Sequence, residues 1–287
     1  MDPVSGYIED NKLSLGRGVK DAVLWLTDEF YNEFRAFSDG LAVVIEGFIS
    51  LLTAVPPILI IVAVAALAWW LHRSLALIAL VFVGLLLILN LGYWEPTIQT
   101  IALVLFSTLV CILVGVPIGI YAAHKPWFAT AIRPVLDLMQ TIPTFVYLIP
   151  TLMLFGLGVV PGLISTVIFA IPAPIRLTQL GISGVPMALK EAGQAFGATR
   201  WQLLYKVELP HAMPTIMAGI TQCIMLSLSM VVIAALVGAD GLGKPVVRAL
   251  NTVNIAQGFE AGLAIVIVAI LMDRIMKHTD PEKKKRK

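Results

Sequence analysis

The side chains in this sequence that could do chemistry are few. The four histidines, His72, His124, His211 and His278, are scattered, with neither the spacing of a metal site nor the makings of a catalytic triad. The run Gly238-Ala-Asp-Gly-Leu-Gly-Lys244 fits the opening of a phosphate-binding loop, but Pro245 stands where Ser or Thr would hold Mg²⁺, so it reads as a glycine-rich turn between two apolar stretches. Cys111 and Cys223 each lie inside an apolar stretch and are expected to be free, packed thiols rather than a disulfide. Ionisable groups within apolar stretches usually report function. Here Asp137 has Arg133 one helical turn earlier, and Asp273 and Lys277 repeat that spacing, so both are expected to be structural pairs. Nothing forms an enzyme active site, and no catalytic residue, metal or bound cofactor is expected on this chain.

The stretch from Gly184 to Pro210 has a different character. Pro186 suits the first turn of a short helix, and Gly197 suits the left-handed position just past its end. Thr199 suits the cap of a second helix, which Pro210 would close. Ala192 and Gly193 are small enough to let another protein's backbone come close, with Phe196 as an anchor. A rigid elbow with this composition, set between two apolar spans, is a docking surface for a partner protein.

The elements around it are those of a membrane protein. Of 287 residues, 59% are hydrophobic and 13% charged, against roughly 25% charged in a soluble domain. Between Gly47 and Trp94 the one charged side chain is Arg73, and between Leu138 and Ile175 there is none. A bilayer core of about 30 Å takes about 20 apolar residues per helix. Seven candidate spans follow: 57–71, 74–91, 97–123, 134–155, 160–182, 211–238 and 259–276, the first two forming a tight hairpin. The net charge of +2 is too small to suggest nucleic-acid binding, and the acidic start, Met1 to Asp10, lacks the pattern of a cleavable signal peptide. Placing loop 184–210 inside gathers most of the 20 Lys and Arg on the cytoplasmic side, with the N-terminus outside and the basic tail 279–287 inside. Lys244 and Arg248 run against that trend. Residues 1–56 form an extracytoplasmic segment in which Leu26, Phe30, Phe34, Phe37 and Leu41 recur at helical spacing. This amphipathic helix either lies on the outer membrane surface or covers the bundle, and the stretch 41–54 either continues it or dips into the bilayer.

Glu191-Ala192-Gly193, then Gly197, then Val207-Glu208-Leu209-Pro210 resemble, with matching spacing, the coupling motif of ABC importer permeases, Gly193 and Val207 being mild departures. The likeness runs over about Trp94 to Ile275. The segments Arg133 to Pro150, Ile171 to Thr178 and Met213 to Gly219 are similar to permeases importing glycine betaine, proline betaine and choline. Val247 to Asn254 leans to the choline and betaine branch. The resemblance implies an all-α fold of the type I importer permease kind, a transmembrane domain over 57–278, and localisation in the bacterial inner membrane. It also implies that Glu191, Ala192, Gly193, Phe196, Gly197, Val207, Leu209 and Pro210 meet a cytoplasmic ATPase that carries the ATP–Mg.

A quaternary ammonium ion donates no hydrogen bond, so aromatic faces and neutral polar groups are its natural hosts. Phe145 and Tyr147 lie between Pro143 and Pro150, two breaks that would free carbonyls toward a cavity, and the 211–238 span adds Thr221, Gln222, Ser227 and Ser229. These residues line a path or serve lipid and helix packing. One docking loop per chain, with no internal repeat of it, implies two copies of the chain around one pore, two ATPase subunits and an extracytoplasmic substrate-binding protein. The alternative is a self-contained transporter driven by Na⁺ or H⁺, which would commonly carry intramembrane carboxylates or inverted repeats.

Overall fold

The computed structural model describes residues 15–276, and every regular element among them is helical. The acidic start, the basic tail 279–287 and the Asp273–Lys277 pairing fall wholly or partly outside the described residues. In chain order the helices are α1 (Leu15–Glu29), α2 (Tyr31–Thr53), α3 (Pro57–His72), α4 (Leu75–Asn90), α5 (Trp94–His124), α6 (Pro126–Thr141) and α7 (Thr144–Phe155). They continue with α8 (Val159–Ser183), α9 (Met187–Ala195), α10 (Arg200–Val237), α11 (Gly243–Asn251) and α12 (Ile255–Met276).

Five of these, α2, α5, α8, α10 and α12, are long and apolar enough to cross a membrane, and α6 with α7 makes a sixth, broken crossing. The hairpin α3–α4 has 16 residues per arm, about 24 Å of helix at 1.5 Å per residue and short of a full bilayer core. The stretch 134–155 is not one straight span. It bends by 96° between α6 and α7, because Pro143 denies its predecessor the helical region and starts α7 afresh. Nor do residues 31–53 lie apart from the bundle. Ile45 and Ser38 are buried, Phe34 meets Phe155 edge to face at 5.4 Å, and Phe48 meets Phe106 at 5.6 Å. α2 thus touches the bundle through these residues, and it is itself of span length, where the sequence reading placed no span.

The centre of the bundle is α8, 67% of whose apolar window is buried. It packs on α5 and α10 at distances that only small residues permit. A Cβ on Gly119 would sit 2.6 Å from the Ile175 carbonyl oxygen, and one on Gly219 would sit 2.9 Å from Leu177 Cβ. Such close approach of backbones substitutes for a hydrophobic driving force that lipid cannot supply. Cys111 and Cys223 are free and buried within this block.

Two spans widen a turn just ahead of a proline. In α5 a π-helical segment, Cys111–Gly115, precedes Pro117; in α10 another, Leu204–Glu208, precedes Pro210. Proline's ring clashes with the carbonyl four residues back. That carbonyl belongs to Leu113 in one case and Lys206 in the other, and both lie inside the widened turn.

Candidate functional site: the elbow between α8 and α10

Local chemistry builds the elbow as the sequence predicts, with two exceptions. Helix α9 starts after Pro186 and ends in a left-handed Gly197, φ +76°. The Gly197 N–H donates to Gln194 O at 2.8 Å and the Ala198 N–H to Gly193 O at 3.1 Å, a paired closure that uses up the last carbonyls. Thr199 then opens α10 with a capping box: its Oγ1 accepts the Gln202 N–H at 3.3 Å, while Gln202 Oε1 accepts the Thr199 N–H at 2.8 Å. The first exception is Pro210. It closes nothing, because the π segment absorbs it and α10 runs on to Val237. The second is Gly193. A Cβ there would lie 2.8 Å from Leu203 Cδ1, so its smallness also serves the packing of α9 onto the first turns of α10.

What α9 and the start of α10 present outward includes large apolar side chains set among Glu191, Gln194, Arg200 and Gln202. Phe196 is 92% exposed, Trp201 70% and Met187 64%. Trp201 and Tyr205 stack with ring centroids 6.1 Å apart. Glu191 and Ala192 are exposed beside them, whereas Val207 and Leu209 are half-buried. Exposed apolar clusters of this kind mark interaction sites. Trp201, Tyr205 and Met187 were not foreseen, though the spacing of Trp201 and Tyr205, one helical turn apart, would have indicated it.

Beneath the elbow lies a buried charge that sequence reasoning also missed. Glu208, in the π segment, is 2% exposed. Its Oε1 lies 3.2 Å from Lys190 Nζ on α9, and its Oε2 lies 2.9 Å from His124 Nε2 at the end of α5. Lys190 also reaches the Ile182 carbonyl of α8 at 3.5 Å, and His124 Nδ1 lies 2.8 Å from the Ile120 carbonyl. A buried carboxylate is tolerable only with such partners.

The residues expected along a path are not brought together as a set. Phe145 is exposed. Tyr147 spans the bend after Pro143, its hydroxyl donating to Met139 O at 2.9 Å and Leu138 O at 3.2 Å, so the carbonyls freed there are already satisfied. Pro150 sits inside α7 and makes no second break. On α10, Gln222 and Ser229 lie on an exposed stripe with Met225, and Thr221 is half-buried. Ser227 is fully buried and accepts a hydrogen bond from Ser107 of α5 at 3.3 Å, which places it in helix packing. Asp137 pairs with Arg176 of α8, not with Arg133, and all three line a cleft of about 360 Å³ between α6 and α8. The run 238–244 is a packed turn: Gly238 and Gly241 take positive φ, and the Leu242 N–H donates to Thr100 Oγ1 at 2.9 Å.

Residues 115–285 match the family described as binding-protein-dependent transport system inner membrane component. The chain is 52% identical over 263 residues to the glycine betaine transport system permease protein OpuAB of Bacillus subtilis, covering 91% of this chain and 93% of that one. It is 43% identical to the glycine betaine/proline betaine permease ProW of Escherichia coli, over 92% of this chain and 74% of that one. Among solved structures, the MetNI methionine ABC transporter in an inward-facing conformation shares the fold, with a TM-score of 0.56 at 22% identity, over 62% of this chain and 91% of that one. A bundle of apolar spans with a capped elbow between two of them, matched over most of its length by permeases, is a multi-pass inner-membrane component of a binding-protein-dependent ABC transport system, and the chain belongs to that family.

Proposed function

We propose that this chain is the permease subunit of an ATP-driven importer for quaternary ammonium osmolytes, glycine betaine foremost, and that it passes force from a cytoplasmic ATPase to the spans through the elbow. The observation that carries this is the exposed face of Phe196, Trp201 and Met187 around the joint where α9 closes at Gly197 and Thr199 caps α10. A rigid apolar knob between two spans suits a cleft in a partner, because capping holds its shape when it is pushed. The substrate class rests on the names of the relatives, which transport glycine betaine, proline betaine and carnitine.

The rest of the assembly follows from one elbow per chain. Two copies surround one pore, each docked to one ATPase subunit that binds ATP–Mg, and a substrate-binding protein delivers from outside. The elbow faces the cytoplasm with the C-terminus, and the N-terminus faces out. ATP binding draws the ATPase subunits together, and the elbow rocks the spans between inward- and outward-facing states. Gln222 and Ser229 on the exposed stripe of α10, with Phe145 on α7, remain the side chains for the path. No observation favours ion coupling: among the described residues the one buried acidic side chain is Glu208, at the elbow end of the bundle.

The test is uptake of radiolabelled glycine betaine into vesicles holding the chain, its ATPase and its binding protein. ATP-dependent uptake, indifferent to dissipated ion gradients and abolished when residues 186–209 are scrambled, is the expected result. Uptake that follows a Na⁺ or H⁺ gradient overturns the reading.

A further inference from the structure

The elbow helix α9 has no buried residue of its own. A Cβ on Gly193 would meet Leu203 and Val207, so α9 lies close on the first turns of α10, and its two ends are turns at Pro186 and Gly197. A push on such a helix would dissipate in those turns unless something else tied it to the spans. Lys190 provides that tie. Its ammonium group reaches across to Glu208 and to the last turn of α8, and the second oxygen of the same carboxylate reaches His124 at the end of α5.

The geometry points to Glu208 as the positioning residue that carries displacement of the elbow into α5, α8 and α10 together. Three features support it. The carboxylate is split between partners, one oxygen on the elbow and one on a span, so neither can move without the other. It is 2% exposed, and Lys190 and His124 are the partners that offset the cost of burying it, so the contact resists being pulled apart. And it points inward because the π segment Leu204–Glu208 adds a residue to the turn, a distortion that recurs at functional positions. The three spans it joins are packed backbone to backbone through Gly119, Gly181 and Gly219, so a displacement delivered at one end moves them as a block rather than separately.

This inference rests on the elbow being the ATPase contact, and its test separates the two. Glu208→Gln, Lys190→Gln, Lys190→Arg and the double glutamine variant are purified with the ATPase and reconstituted. ATP hydrolysis and glycine betaine uptake are then measured on the same vesicles. Glu208→Gln and Lys190→Gln are expected to hold the ATPase in full yield and to hydrolyse ATP, yet to import about a tenth or less of the wild-type substrate per ATP. Lys190→Arg should restore the ratio, and the double variant should be no worse than the single ones, because both act through one contact. If Glu208→Gln does not fold, Lys190→Gln, on a partly exposed residue, carries the same readout. Unchanged uptake per ATP in both variants with the ATPase bound, or additive losses in the double variant, overturns this inference alone. A wild-type chain that binds no ATPase overturns the elbow reading and this one with it.

Discussion

At the scale of single residues, the elbow separates side chains that shape it from side chains left exposed, which the proposed function assigns to the ATPase. Phe196 is 92% exposed and Trp201 70%, so neither holds the fold. Phe196→Ala or Trp201→Ala should each weaken ATPase binding about tenfold or more, about 1.4 kcal/mol, as expected of buried aromatic anchors in interfaces. Titration of the purified ATPase onto the detergent-solubilised permease checks this, with the melting temperature of the permease alone unchanged. Gly197 belongs to the other class. At φ +76° with open space around it, Gly197→Ala should cost about 1–2 kcal/mol through backbone conformation and not through a clash. Faster amide exchange in α9, with the spans unaltered, is the expected signature. Gly197 and Thr199 were legible in the sequence because a cap is decided within four residues. Glu208 was not, because its partner His124 is 84 positions away and only folding brings them together.

At the scale of elements, breaks matter more than lengths. The sequence shows where prolines fall, but not what each one does. Pro143 bends the chain by 96°, Pro150 is carried within α7, and Pro117 and Pro210 are absorbed by π segments. A proline strands the carbonyl four residues back, which then needs another partner. At the bend that partner is the Tyr147 hydroxyl. Tyr147→Phe should therefore lower stability by about 1 kcal/mol, the net value of such a bond, seen as a lower melting temperature. If Tyr147→Ala leaves uptake unchanged, Tyr147 is a brace for the bend and no part of the path.

At the scale of the whole molecule, the tight α5–α8–α10 block predicts a contrast between two glycines. Gly119→Ala places a methyl group against a backbone oxygen of α8 and should destabilise the chain by about 1–3 kcal/mol, as overpacking does. Gly262 on α12 has nothing within 4 Å, so Gly262→Ala should be neutral or stabilising by about 0.5–1 kcal/mol. Thermal melting of the two purified variants checks both. Two permease chains per purified complex, measured by mass in detergent, is the expected stoichiometry. The sequence by itself determined that the chain is helical and membrane-embedded, and that 184–210 is a capped elbow. It placed the spans at 97–123, 160–182 and 259–276 to within a few residues, but missed the span-length helix 31–53 and the start of α10 at Arg200. What it determined follows from hydropathy and local hydrogen bonding, which act along the chain. Only the tertiary structure decided that Gly193 faces inward, that Asp137 pairs with Arg176, that Ser227 is packed away, and that a buried carboxylate ties the elbow to the spans. Those depend on which helix faces which, and lipid, being apolar on every side, leaves little trace of that choice in the pattern of apolar residues.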